Sequence, residues 1–142
     1  MILESSFRER PMPDSPFRRL TVDDLFRRAV ERRRDAVALI DPPDRVSFTD
    51  GAPRELRYGK ADRIVSAIAT RLTELGLKTD SIVALQLPNT VESALTFLGV
   101  LRAGMIAAPL PLLWREIDAV QALSRIGARA LITCRRIGSV SW

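Results

Sequence analysis

Few side chains in this sequence have a type and spacing that could carry chemistry, and each also has a plainer use. Asn89 and Glu92 stand three residues apart at the head of an apolar run. An amide beside a carboxylate could grip a polar ligand, but the same spacing makes a reciprocal helix cap, which is the preferred reading. Trp114 next to Arg115 could offer a stacking plane and a cation to a nucleotide-like ligand. The plainer use is a buried indole whose neighbour caps a helix. Cys134 precedes Arg135 and Arg136, cations of the kind that lower a thiol's pKa. With no histidine and no second cysteine in the chain, a half-buried structural thiol is expected. Thr133, Ser139 and Ser141 lie near a strand end but have no base to activate a hydroxyl, and they read as a solvated tail. Asp23 and Asp24 are adjacent, so on a helix they point apart and serve as first-turn charges.

What is missing narrows the chemistry further. The absence of histidine removes Ser-His-Asp and Cys-His catalysis and histidine-ligated metals within this chain. A single cysteine allows no intrachain disulfide and no cysteine-based zinc site. The glycines at 51, 59, 76, 99, 104, 127 and 138 form neither Gly-x-Gly-x-x-Gly nor Gly-x-x-x-x-Gly-Lys, so no phosphate loop is present. No residue is therefore assigned to catalysis, to cofactor binding or to a metal.

The net charge of +5 invites a nucleic-acid reading, but its distribution opposes one. Lys60 and Lys78 are the only lysines, and the block Arg27, Arg28, Arg32, Arg33 and Arg34 is interleaved with Asp23, Asp24, Glu31 and Asp35. That block reads as a solvated helix face, and no nucleic-acid partner is expected. The first ten residues lack a signal-peptide core, and the longest apolar run, 103–114, is broken by Gly104, Pro109 and Pro111. A cytoplasmic protein without a transmembrane segment is expected.

The elements that would position these residues follow from periodicity. Residues 1–20, with Pro11, Pro13 and Pro16, read as an extended or disordered leader. Thr21 opens a helix with Asp24 in capping-box position, and Val22, Leu25, Phe26, Ala29 and Val30 form its apolar face. A strand over 36–40 and another over 55–58 are expected to pair as a hairpin. Then helix, glycine and strand recur three times. Helices over 59–75, 90–103 and from Arg115 end at Gly76, Gly104 and Gly127, and strands over 81–87, 105–110 and 128–134 follow. The last helix puts Ile117, Val120, Leu123 and Ile126 on one face, while the helix over 90–103 is apolar almost all round and should lie between layers. Strands alternating with helices, and strands without polar alternation, predict a partial doubly wound, mostly parallel α/β sheet. The expected organisation is a leader over 1–20, an α/β part over 21–134 and a short tail over 135–142.

Five stretches in order also resemble a known family. They are Asp35-Ala-Val-Ala-Leu-Ile40, Glu55-Leu-Arg-Tyr-Gly-Lys-Ala-Asp62, Leu75-Gly-Leu-Lys-Thr-Asp-Ser-Ile-Val-Ala-Leu85, Leu87-Pro-Asn-Thr-Val-Glu92 and Leu101-Arg-Ala-Gly-Met-Ile-Ala-Ala-Pro-Leu-Pro111. Together they resemble the start of the AMP-forming acyl-CoA synthetases of the adenylate-forming, AMP-binding superfamily. Pro111 stands where the family pattern has asparagine, which leaves the subfamily and its acid open. The resemblance implies the N-terminal part of the large domain of a ligase that makes an acyl adenylate and then an acyl-CoA. It implies ATP, magnesium and coenzyme A for the full-length enzyme. The phosphate loop, adenine and magnesium motif, hinge aspartate and catalytic lysine of such enzymes have no counterpart here. The expectation is an N-terminal fragment, inactive alone, that binds none of these cofactors and whose partner is the remainder of the ligase or a full-length homologue. The alternative is a non-catalytic α/β interaction protein derived from the family.

Overall fold

The computed structural model describes residues 20–138, 140 and 141. The expected leader therefore lies outside the described residues, apart from Leu20, and so does Ser139. The chain runs α1 (Val22–Arg33), β1 (Val37–Ile40), a 3-10 turn (Arg45–Ser47), β2 (Glu55–Arg57), α2 (Tyr58–Glu74), β3 (Ile82–Gln86) and α3 (Val91–Arg102). It continues with β4 (Ile106–Pro109), α4 (Glu116–Ile126), β5 (Ala130–Thr133), β6 (Arg136–Ile137) and β7 (Val140–Ser141).

The expected α/β class holds. β4, β3 and β5 form a parallel sheet in that order, with Val83 opposite both Ala107 and Ala130. The β3–β4 connection through α3 and the β4–β5 connection through α4 run in opposite directions along the sheet, so right-handed crossovers place α3 and α4 on opposite faces. This is the doubly wound arrangement. β1 and β2 make the expected antiparallel hairpin, and β6 and β7 pair antiparallel in the stretch read as a tail.

Each of the three glycines ends its helix as expected. Gly76, Gly104 and Gly127 have φ of 84°, 70° and 65°, which only glycine adopts at little cost. The residue after each reaches back five positions to close the helix: Leu77 N–H to Leu72 O, Met105 N–H to Val100 O and Ala128 N–H to Leu123 O. After Gly104 and Gly127 the chain enters a strand within three residues, whereas a turn at Thr79–Asp80 separates Gly76 from β3.

The core is two adjoining clusters. Leu56, Ala61, Val65, Val91 and Leu95 join the hairpin to α2 and α3. Leu72, Val83, Leu85, Val100 and Met105 join those helices to the parallel sheet, with Ile68 touching both clusters. Each fully buried Val or Leu contributes about 1.5–3 kcal/mol. α3 has no exposed residue, as its all-round apolar sequence predicts.

Two apolar faces behave otherwise. Val22 and Leu25 of α1 are exposed although they share a helical face with the buried Val30. On α4 only Ala119 is buried, while Ile117 and Val120 face outward.

Candidate functional site

In an open α/β sheet the crevice beyond the carboxyl ends of the strands, where the winding reverses, is the usual ligand site. Here that place lies past Gln86 of β3 and Thr133 of β5, which are register partners. Gln86 is the largest fully buried side chain, and its Nε2 donates to Pro111 O at 3.1 Å and Trp114 O at 3.0 Å. Both amide protons are spent holding the 111–114 loop over the strand end. Thr133 is exposed, and its hydroxyl is 3.5 Å from Cys134 O.

The loop from β3 into α3 departs from the expected cap. Asn89 is exposed and Thr90 takes the N-cap position without a side-chain capping bond. The first turn of α3 is capped from a distance instead: Val91 N–H donates to Asp41 Oδ1 at 2.8 Å. The Asp41 side chain is fully buried. Its Oδ2 accepts from Arg45 Nη1 at 2.5 Å and from Arg54 N–H at 3.0 Å. Glu92, freed from capping, receives the Arg45 guanidinium end-on through Nη1 at 2.9 Å and Nη2 at 2.7 Å, and also pairs with Arg54. Arg45 completes its set on Asp50 O through Nε and Nη2. Four charged side chains thus bind the β1–β2 connection to the head of α3.

Burial pushes the Asp41 carboxyl up, but the hydrogen bonds from Val91, Arg45 and Arg54, with the Arg45 charge, outweigh it. The group stays below its ordinary value. A carboxylate held ionised, with both oxygens accepting hydrogen bonds, is a structural counter-charge and not an acid or base. It also occupies the positive end of α3, the position an anionic ligand would otherwise use.

Arg136 anchors the segment after β5. Its Nη2 donates to Val46 O at 2.9 Å and Thr49 O at 2.6 Å, and its Nε to Asp50 Oδ1 at 3.1 Å. Gly138 N–H donates to Phe48 O at 2.7 Å, so residues 136–138 are fastened to the 46–50 loop. Cys134 is half-buried and its thiol donates to Arg136 O at 3.2 Å, which fits the structural thiol expected.

The remaining candidates are also placed. Arg115 takes the N-cap of α4, its backbone N–H facing Asp118 Oδ2 at 3.4 Å, and Trp114 is half-buried. Asp24 completes the capping box with Thr21, whereas Asp23 turns to Arg27 at 2.7 Å and Arg102 at 2.8 Å. Sequence reasoning missed Arg102, whose side chain is nearly buried. It lies over the Phe26 ring, donates to Ser66 Oγ and Asp62 O, and keeps Nη2 2.8 Å from Asp62 Oδ1 as an ion pair outside hydrogen-bond geometry. Arg27, Arg28, Arg32, Arg33 and Arg34 are all exposed, as a solvated face requires.

The anion position at α3 is filled by Asp41, and among the described residues no three Asp, Glu, Cys or His side chains are grouped to hold a metal. Nor is any described helix long and apolar enough to cross a membrane.

A family model described as AMP-binding enzyme matches residues 26–141. The chain belongs to the AMP-binding enzyme family. Among its relatives, the oxalate–CoA ligase of Arabidopsis thaliana is 32% identical over 94 residues, 66% of this chain and 18% of the relative. The medium-chain fatty-acid–CoA ligase of Escherichia coli is 28% identical over 87 residues, 61% of this chain and 15% of the relative. The fold is that of the N-terminal subdomain of Klebsiella oxytoca NpsA, solved with anthranilyl-AMSN, at TM-score 0.66 and 28% identity over 79% of this chain. The chain spans only 27% of that subdomain.

Proposed function

We propose that this chain supplies the N-terminal α/β scaffold of an ATP-dependent, AMP-forming carboxylic acid–CoA ligase and is catalytically silent by itself. In the whole enzyme the carboxylate would be adenylated and then transferred to coenzyme A, with ATP and magnesium held by parts beyond this stretch. The observation that carries the reading is that Asp41 and Arg45 are spent on each other, on Glu92 and on backbone groups of Asp50, Arg54 and Val91. This cluster holds two elements together, and its buried carboxylate fills the anion position at the head of α3. Fatty-acid–CoA ligases of Escherichia coli among the relatives support a role in fatty acid metabolism, and a cytoplasmic location belongs to the same reading.

The test is ATP–pyrophosphate exchange by the purified chain with a panel of short, medium and aromatic acids. No exchange above the enzyme-free rate is expected, and acid-dependent exchange would overturn the proposal. The second reading, a non-catalytic interaction protein of this family, is favoured by the outward apolar residues of α4. A monodisperse chain that captures one defined partner unrelated to ligases would support it over the first.

A further inference from the structure

The end of α1 and the start of α2 are tied through their backbones: Gly59 N–H donates to Arg34 O at 2.9 Å and Tyr58 N–H to Ala36 O at 3.0 Å. At this junction lies a cleft of about 360 Å³, near the lower end of the size range of small-molecule sites. Arg34, Arg57, Lys60 and Arg63 line it together with Asp35 and Glu55, which leaves a surplus of two positive charges. Arg57, Lys60 and Arg63 recur every third residue from the N-cap of α2, so they share one side of its first turns. Arg34 joins them from the end of α1 because residue 59 is glycine. A Cβ there would fall 2.9 Å from Arg34 Cγ and 3.3 Å from its Nε, so the missing side chain is what lets the arginine lie across α2.

These cations are not consumed by the fold. Among the described residues Arg34, Lys60 and Arg63 have no hydrogen-bond or ion-pair partner for their side chains, and Arg57 gives a guanidinium N–H to Asp35 O. All four are exposed. Elsewhere the arginines that gather at element junctions pair off: Arg45 and Arg54 with Asp41 and Glu92, and Arg102 with Asp23 and Asp62. Like charges brought together repel, and a bound polyanion relieves that repulsion. The planar guanidinium fork matches phosphate oxygens, and a lysine adds a compact charge beside it. Apart from Gly59, every lining residue is charged, so the cleft has no ring or apolar wall to hold a base or an acyl chain.

We propose that this cleft binds a compact polyanion carrying adjacent phosphate groups, supplied either as a free polyphosphate or on a phosphorylated lipid headgroup. None of its lining residues belongs to the parallel sheet or to the Asp41 cluster, so the site is separate from the crevice past β3 and β5. It does not depend on the scaffold reading above.

The test is calorimetric titration of the full chain with inorganic tripolyphosphate at about 0.15 M salt, where diffuse attraction is screened. Lys60→Gln with Arg63→Gln is expected to weaken binding at least about tenfold, as the loss of charge-assisted hydrogen bonds does. Arg34→Gln should weaken it in the same direction. Arg28→Gln with Arg32→Gln removes an equal charge from the exposed face of α1 outside the cleft, and should change affinity by less than about twofold. Equal losses in the two double variants would reduce the effect to net charge and overturn the proposal, as would no binding by the parent chain. Phosphatidylcholine vesicles carrying a bisphosphorylated inositol lipid separate the two sources. Capture that tripolyphosphate competes away assigns the site to a headgroup, and tripolyphosphate binding without capture assigns it to a free polyanion. Equal capture by phosphatidylserine vesicles, unaffected by Lys60→Gln with Arg63→Gln, would show attraction to any anionic surface and count against the site.

Discussion

Asp41 keeps a full charge inside the protein because every bond it accepts comes from a group that has nowhere better to go. Val91 N–H is an orphan donor of the first turn of α3, and Arg54 N–H faces inward from the approach to β2. Removing the cation while leaving the carboxylate is therefore costly. Arg45→Met should destabilise the fold by about 3–5 kcal/mol in urea unfolding, since a buried charge is left without its partner. The pH dependence has a definite sign. The native carboxyl titrates below its ordinary value of 3.8, so folding favours the charged form. The stability from this group is complete above the unfolded pKa and is lost as pH falls below it toward the native pKa. Asp41→Asn should lose stability at neutral pH and show a shallower acid limb below pH ~4 than the parent chain, measured by urea midpoints from pH 7 to 2.5. An unchanged acid limb would mean that Asp41 is not the group that drives it.

The elements show why some positions were legible in the sequence and others were not. Helix ends marked by glycine, the Thr21–Asp24 cap and the β1–β2 hairpin are local, because the residues that decide them lie within a few positions of one another. The head of α3 is not local. Leu87-Pro-Asn-Thr-Val-Glu92 carries the spacing of a self-cap, but the capping oxygen comes from Asp41, fifty residues earlier. A tertiary partner displaced the local one, and no periodicity reports a pairing at that separation. The approach of α2 to α3 is equally silent in sequence. Gly99 sits mid-helix, where glycine is unfavourable, because a Cβ there would fall 2.5 Å from Ile68 Cγ2. Gly99→Ala should therefore destabilise by about 1–3 kcal/mol despite alanine's better helix propensity. Combining it with Ile68→Ala should recover part of that loss, because the colliding methyl is gone. A stabilised single variant, read by thermal melting, would show that the helices have room to part.

Across the whole molecule, packing is uneven. The hairpin, α2, α3 and β3 share two contiguous clusters, and every residue of α3 is buried or half-buried. α4 buries one residue, although the 111–114 loop before it is tied to Gln86. Regions with few buried apolar groups open at lower free energy than the core they flank. Amide exchange should therefore divide the chain. Amides of β3 and α3 should exchange at the rate of global unfolding, and those of α4 at least tenfold faster under native conditions. The contrast should shrink when urea brings global unfolding close to the local opening, because both then pass through the same unfolded state. If α4 is instead as protected as α3 in dilute buffer, the exposed flank is not a weak point, and the chain is a closed unit. The α1 flank of Val22 and Leu25 should exchange more slowly than α4 despite its own exposure. Its helix is pinned through Asp23 to the nearly buried Arg102, and through Val30 to the interior. Exposed apolar area alone would rank the two helices alike, and the ion pair is what separates them.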